Sequence, residues 1–134
     1  MKVIELSVHE PGEIISPIFT RLKSDNSLRI ILNLKKMNES VEKLHFKMDS
    51  IQTVLGMRKK NCYMAKIDLK SAYYSLPVHD HYKKYLKFYW NKTLYAYTVL
   101  PNGLSCGPRY FTKLMKPVFA TLQLKGHMLT SFIL

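Results

Sequence analysis

The sequence contains few cysteines, few acidic residues and no long apolar run. Its two cysteines, Cys62 and Cys106, lie far apart and have no His or Cys partner at zinc-ligand spacing, so we expect free thiols rather than a disulfide or a zinc site. No segment approaches the roughly 20 apolar residues that a membrane-spanning helix needs, and no signal peptide is visible. We therefore expect an intracellular protein, cytoplasmic or nuclear, with no membrane partner.

The acidic residues are also unevenly distributed. The chain has 21 Lys and Arg against 9 Asp and Glu, which gives a net charge of +12. Residues 1–50 carry eight basic and seven acidic residues, whereas residues 51–134 carry thirteen and two. A phosphate backbone is the usual partner of such a basic surface, because neutralising phosphates releases condensed counterions. Nucleic acid is favoured over a membrane, since the basic residues do not follow one amphipathic helix.

The pattern of apolar and polar residues predicts an α+β fold. Residues 16–34 and 82–100 each contain two apolar or aromatic runs separated by a polar turn, which predicts two β-hairpins. Helical spacing over 49–60 and 108–125 predicts two helices, the second interrupted by Pro117 and ended by Gly126. We also expect a buried strand from Cys62 to Ile67, a short turn or helix before Pro77, an irregular segment at 35–47 and a strand at 127–134.

Residues 1–15 differ in composition from the rest of the chain. They contain Glu5, Glu10 and Glu13 around a Pro-Gly turn. We interpret them as an N-terminal extension, part of it disordered, and residues 16–134 as one domain of mixed helix and strand.

Asp68 is the most informative single residue. It follows the predicted strand in a part of the chain that has only one other acid, Asp80. A buried carboxylate without a partner is unfavourable, so Asp68 needs one. Two interpretations stay open: it caps the short helix that follows or pairs with Lys66 or Lys70, or it binds a divalent metal such as Mg²⁺, which prefers carboxylate and phosphate oxygens.

Three segments, KIDLKSAYYSLPV, LPNGLSCGPRYFTKLMKPV and KSDNSLRIILNLKKMN, together resemble conserved segments of reverse transcriptases. KIDLKSAYYSLPV is similar to the first palm motif, in which a strand delivers the first metal-binding Asp and an aromatic residue follows five positions later; Asp68 and Tyr73 match. LPNGLSCGPRYFTKLMKPV resembles the next palm segment, and KSDNSLRIILNLKKMN resembles the fingers hairpin. The three occur in the family's order over about residues 16–134, and their wording is closest to retrotransposons of the tyrosine-recombinase (DIRS-like) group.

This resemblance implies an RNA-directed DNA polymerase. The expected fold is the fingers and front of the palm of a right-hand polymerase, truncated before the second catalytic motif. The implied cofactor is Mg²⁺, and the implied partners are an RNA template, a DNA primer and a dNTP. Two-metal nucleotidyl transfer needs further carboxylates, and the family's Asp pair is absent from this sequence, so we expect a retroelement fragment that is inactive alone. The alternatives are a non-catalytic basic nucleic-acid-binding module and a non-functional relic.

The resemblance also implies roles for individual residues. Asp68 is the expected catalytic metal ligand, and Tyr73 the expected steric gate that rejects a ribose 2′-OH. Tyr73 is alternatively an ordinary core aromatic. Lys23 and Arg29 are the expected triphosphate ligands, and the alternative for both is a solvated hairpin face.

The second palm segment carries the remaining candidates. Gly103 permits close backbone approach beside the nucleotide, and Asn102 stands where many family members have the longer Gln, so its reach must differ. Phe111 belongs to the apolar stripe of the helix that follows. The expected nucleic-acid contacts of that helix are Arg109, Lys113 and Lys116.

Overall fold

The computed structural model describes residues 2–22, 24–42, 44–47 and 49–129, with Arg29 described by its backbone alone. The chain forms two compact units, one from Met1–Lys43 and Ser71–Gly107, the other from Leu44–Lys70 and Pro108–Leu134. The chain therefore passes from the first unit to the second twice, and the predicted site residues are divided between the two.

The first unit contains two antiparallel sheets. A three-stranded sheet has the order β1-β5-β4, with β1 at Ile4–Leu6, β4 at Lys87–Trp90 and β5 at Thr93–Tyr97. A two-stranded sheet pairs β2 (Ile18–Leu22) with β3 (Leu28–Leu32). Both predicted hairpins are confirmed.

The turns explain why these hairpins could be predicted. Asn91 and Lys92 between β4 and β5 have φ angles of 47° and 63°, the left-handed pair that matches the twist of a tight hairpin. Between β2 and β3, the Asp25 carboxylate accepts hydrogen bonds from the Ser27 amide at 2.9 Å and the Ser27 hydroxyl at 2.6 Å. Such local bonds are properties of short sequences, so they are visible before the fold is known.

The core of the first unit lies where the sheet, the hairpin and the following loops meet. The Phe88 ring stacks on the Tyr95 ring with centroids 5.8 Å apart, and its centroid lies 5.4 Å from that of the Tyr97 ring. Burial, assisted by Tyr74, raises the pKa of Tyr97 to about 12. Each buried large apolar side chain contributes about 2 kcal/mol relative to an exposed one. The buried cluster is Leu32, Leu34, Leu86, Phe88, Tyr97, Leu100 and Leu104.

Residues 2–15 pack on this unit, so the expectation of partial disorder is wrong for them. β1 pairs with β5, and the Lys87 side chain, only 1% exposed, lies against the segment that follows β1. Its ammonium donates to Glu13 at 2.8 Å, Glu10 at 2.9 Å and the Val8 carbonyl at 2.6 Å. A buried ammonium needs such acceptors, and the acidic segment supplies them.

Three short helical elements complete the first unit. α1 covers Lys35–Ser40, where we expected irregular chain. The correction has a local cause: the Asn33 side chain accepts the Lys35 amide at 3.1 Å and so satisfies one of the free N–H groups of the first turn. A single 3₁₀ turn at Ala72–Ser75 confirms the short element expected before Pro77, and Asp80–Lys83 forms one turn of α-helix, α3.

The second unit contains the two predicted longer helices. α2 covers Ile51–Met57 and begins with a capping box between Ser50 and Thr53. α4 covers Gly107–Leu124 and runs through Pro117; Gly126, whose φ is 84°, follows two residues after its end. Within the described ranges, no helix is long and apolar enough to cross a membrane.

The predicted strand from Cys62 to Ile67 is wrong. Residues 62–69 are extended or irregular and exposed, with Ile67 at 82% exposure. An isolated strand leaves its N–H and C=O groups unpaired, and among the described residues no strand pairs with this segment. Most of the strand expected at 127–134 lies outside the described residues, and His127–Leu129 form no strand.

Candidate functional site

The Asn102–Gly103 turn, which contains two of the predicted site residues, is an exposed turn between buried residues. Both residues are exposed, whereas Leu100, Pro101 and Leu104 on either side are buried. Gly103 has a φ of +95°, which glycine adopts without the strain that a side chain brings. Buried neighbours thus hold a two-residue tip out into solvent.

Asn38 of α1 fastens this turn, and sequence reasoning missed it. Its amide nitrogen donates to the Gly103 carbonyl at 2.9 Å, and its amide oxygen accepts the Ser105 amide at 2.8 Å. One planar side chain therefore satisfies a backbone acceptor and a backbone donor two residues apart. The partners lie about 65 positions along the chain from Asn38, so local spacing carries no signal for the contact.

Tyr73 lies in the 3₁₀ turn and is half-buried. Its ring packs against the buried cluster, which supports the core interpretation for one side of the ring. A Cβ placed on Gly107 would be 3.8 Å from Tyr73 Cε1 and 3.5 Å from Leu100 Cδ2, so the start of α4 passes close to the ring. Burial raises the pKa of the Tyr73 hydroxyl, which keeps the ring neutral at physiological pH.

The two fingers candidates are only partly described. Lys23 lies outside the described residues. The backbone of Arg29 belongs to β3 and is in register with Arg21 of β2, so the hairpin brings two arginine positions opposite each other.

Asp68 is exposed and belongs to the second unit. The 3₁₀ turn at Ala72–Ser75 has no side-chain capping hydrogen bond, so Asp68 does not cap it. Among the described residues Asp68 forms no ion pair with Lys66 or Lys70. The structural alternative proposed from sequence is therefore not realised, and the expected position at the end of a buried strand is not realised either.

The described residues do not form a magnesium centre. No group of three or more His, Cys, Asp or Glu side chains comes together within the described ranges. Glu5, Glu10, Glu13 and Asp80 bind Lys83 or Lys87 instead. One exposed carboxylate does not meet the ligand requirement of a two-metal site.

Helix α4 presents the basic residues predicted to contact nucleic acid. Arg109, Lys113 and Lys116 are spaced by four and three residues, which places them along one side of the helix. Lys113 and Lys116 are exposed, and the Arg109 guanidinium lies 5.9 Å from the centroid of the Tyr110 ring. This helix combines accessible positive charge with an aromatic ring, the chemistry that suits a nucleic-acid backbone.

A comparison of the sequence with known families decides the identity. The family described as "Reverse transcriptase (RNA-dependent DNA polymerase)" matches residues 22–133. The chain belongs to the reverse transcriptase family.

Curated relatives of this reverse transcriptase segment are polyproteins. Polyprotein P3 of Commelina yellow mottle virus is 28% identical over 81% of the chain, and the Transposon Tf2-3 polyprotein of Schizosaccharomyces pombe is 27% identical over 71%. The chain spans 6% and 7% of their lengths, so it corresponds to a small part of each.

Solved reverse transcriptases share the fold. The prototype foamy virus protease–reverse transcriptase aligns over 88% of the chain with a TM-score of 0.73 and 18% identity, and the chain covers 16% of it. The foamy viral enzyme in complex with an RNA/DNA hybrid aligns over 90% of the chain with a TM-score of 0.71 and 20% identity. The expected α+β, polymerase-like fold is confirmed, whereas the DIRS-like subgroup stays a prediction.

Proposed function

We propose that this chain forms the fingers and front of the palm of a retroelement RNA-directed DNA polymerase and contacts an incoming dNTP. The observation that supports this most directly is the exposed Asn102–Gly103 turn, fastened by Asn38 in the same packed unit as Tyr73. An exposed turn that is held by hydrogen bonds and flanked by buried residues can position a small ligand at low entropic cost.

Within that site, Tyr73 lies below the sugar and excludes a ribose 2′-OH by its bulk. Gly103 lets the backbone approach the nucleotide, and Asn102 supplies a polar side chain at the exposed tip. The arginine register of the hairpin supports Arg29 as a triphosphate contact, and Lys23 is proposed as a second contact from the resemblance alone.

Asp68 contributes one carboxylate to a magnesium site that other residues must complete. Its exposure and its lack of a protein ion pair among the described residues leave its oxygens available. Magnesium held by such a completed site would supply charge neutralisation for phosphates. The 134-residue sequence has no two adjacent acidic residues, so we expect it to lack polymerase activity by itself.

Nucleic acid binds the basic side of α4 through Arg109, Lys113 and Lys116. The foamy viral relatives were solved with double-stranded DNA and with an RNA/DNA hybrid, which supports a template–primer as the partner. Phosphate contacts of this kind position the duplex without reading its sequence.

Primer extension tests the proposed limit on activity. The purified chain is given a poly(rA) template, an oligo(dT) primer, dTTP and Mg²⁺. We expect no product above that of a matched Asp68→Ala variant. Extension by the wild-type chain that Asp68→Ala abolishes would overturn the claim that the site is incomplete.

A non-catalytic nucleic-acid-binding module is the second candidate, and the basic side of α4 favours it specifically. That module binds the template–primer equally well with Asp68→Ala and has no affinity for dTTP. The proposed polymerase segment binds dTTP in addition, and Tyr73→Ala weakens that binding. Titration of the chain with dTTP therefore separates the two.

A further inference from the structure

Asn38 joins two parts of the proposed nucleotide site. Its helix α1 begins three residues after β3 ends, and Leu32 and Leu34 on either side of that link are both buried. The Asn33 amide also donates to the Pro17 carbonyl at 2.8 Å, just before β2. Hairpin and α1 are thus connected by a short, packed segment.

The connection continues from α1 to the exposed turn. The Asn38 amide bonds to Gly103 and Ser105, on both sides of Leu104, whose side chain is buried. Gly103 has a φ of 95°, and because glycine is free to adopt many backbone conformations, a hydrogen bond to its carbonyl restricts it. The amide of Asn38 fixes that carbonyl.

We infer that Asn38 is a positioning residue that couples the fingers hairpin to the Asn102–Gly103 turn, so that binding of a triphosphate at the hairpin is transmitted to the turn. This inference rests on the proposed function. Packed side chains and hydrogen-bond networks can carry coupling between two sites, and the chain from β3 through α1 and the Asn38 amide to Gly103 forms such a network.

The chemistry of the contact requires an amide. Asn38→Ala removes both hydrogen bonds. Asn38→Asp retains an acceptor for the Ser105 amide but loses the donor to the Gly103 carbonyl and places two oxygens against each other. The two variants therefore separate the two halves of the contact.

Amide hydrogen exchange of the whole chain, followed by NMR, tests the contact without a ligand. In Asn38→Ala we expect the Ser105 amide to exchange about tenfold faster, since one hydrogen bond is lost. Ser40→Ala, an exposed change on the same helix, is the matched control and leaves Ser105 unchanged. Equal Ser105 exchange in wild type and Asn38→Ala would overturn the inference. If Asn38→Ala fails to fold, Asn38→Asp decides through the carbonyl-carbon chemical shift of Gly103, which we expect to move because that carbonyl loses its donor; an unchanged shift would overturn the inference.

Titration with dTTP tests the coupling. In the wild-type chain we expect the amide signals of Asn26 and Ser27 in the hairpin turn to shift together with those of Gly103 and Ser105. In Asn38→Asp the hairpin signals shift and the turn signals do not. Hairpin shifts with equal turn shifts in both proteins would overturn the coupling and leave the proposed function standing. No shift anywhere in the wild-type chain would overturn the proposed function and the coupling with it, while the exchange experiment still decides the contact.

Discussion

At the scale of single residues, Lys87 shows how a charge can be buried in so small a unit. Burial acts to lower the pKa of Lys87, but hydrogen bonds from its ammonium to Glu13 and Glu10 outweigh that effect and raise the pKa above its ordinary value. The same contacts lower the pKa of Glu13 to about 2, through Lys87 first and His9 second. His9 Nδ1 lies 2.5 Å from Glu13 Oε1, and His9 Nε2 lies 2.8 Å from the Tyr89 hydroxyl. The N-terminal segment therefore contacts β4 through His9 as well as through Lys87.

Removing the Lys87 ammonium should loosen this segment. In Lys87→Met the Val8 carbonyl and the Glu13 carboxylate lose their buried donor. We expect the free energy of unfolding to fall by about 2 kcal/mol, measured by urea denaturation. Lys92→Met, an exposed change in the β4–β5 turn, is the control and should change little. Equal stability of the two variants would contradict the role given to Lys87.

The lowered pKa of Glu13 predicts a loss of stability in acid. Its folded value of about 2 lies below the ordinary 4.5, so its contribution is fully present above about pH 4.5 and is lost as the pH falls toward 2. Glu13→Gln cannot ionise and should show a flatter stability profile over that range. Glu39→Gln, at an exposed position, should retain the wild-type slope. Parallel profiles for wild type and Glu13→Gln would refute the prediction.

Structural features of single residues could be predicted only where the residues in contact are close in sequence. The turn at Gly103 was predicted, and its φ of +95° fits that turn, whereas the role of Gly103 beside a nucleotide stays a prediction. Asn38 was not found, because its partners Gly103 and Ser105 are distant in sequence. The roles of Asp68 and Tyr73 in a polymerase stay predictions, since they depend on a ligand.

At the scale of elements, helix α4 was predicted most completely, and it contains a proline in its interior. Its apolar stripe and its stop at Gly126 were both visible in the sequence. Pro117 has no N–H to donate to the carbonyl of Lys113, four residues earlier, yet the helix continues through it. The helix therefore retains a defect that a single substitution can remove.

Pro117→Ala should stabilise α4. Alanine restores the missing N–H donor and has the highest helix propensity, so we expect a gain of about 2 kcal/mol together with stronger far-ultraviolet helical dichroism. Ala120→Gly, an exposed change one turn later, should act in the opposite direction by about 1 kcal/mol. A Pro117→Ala protein with lower stability would mean that the proline is needed for packing.

Other elements were predicted or missed for a common physical reason. The hairpins follow from turn chemistry that acts over four residues, such as the Asp25–Ser27 bonds. The segment 62–67 has the composition of a strand, but strand formation depends on a partner, and sequence composition alone does not supply one. The N-terminal segment was misjudged in the same way, since its glutamates are ordered by Lys87, 74 residues from Glu13.

At the scale of the whole molecule, some basic residues form ion pairs with the acids and others do not. Lys83 and Lys87 are occupied by acids of the N-terminal segment and of α3. The basic residues of α4 take part in no ion pair among those described, so their charge is available to a partner. These pairs contain two lysines and four acids, so the positive charge of the remaining residues is not reduced by them, and α4 is where we expect that charge to act on a partner.

The measurement that tests the account most directly is the salt dependence of RNA/DNA hybrid binding. For the wild-type chain, the logarithm of the binding constant should fall linearly with the logarithm of the salt concentration. In Lys113→Gln/Lys116→Gln the slope should become less negative by about two, because two phosphate contacts are lost. Lys35→Gln/Lys36→Gln, which removes the same charge from exposed positions on α1, should leave the slope nearly unchanged. Binding that does not depend on salt, or equal slopes for the two double variants, would contradict the account.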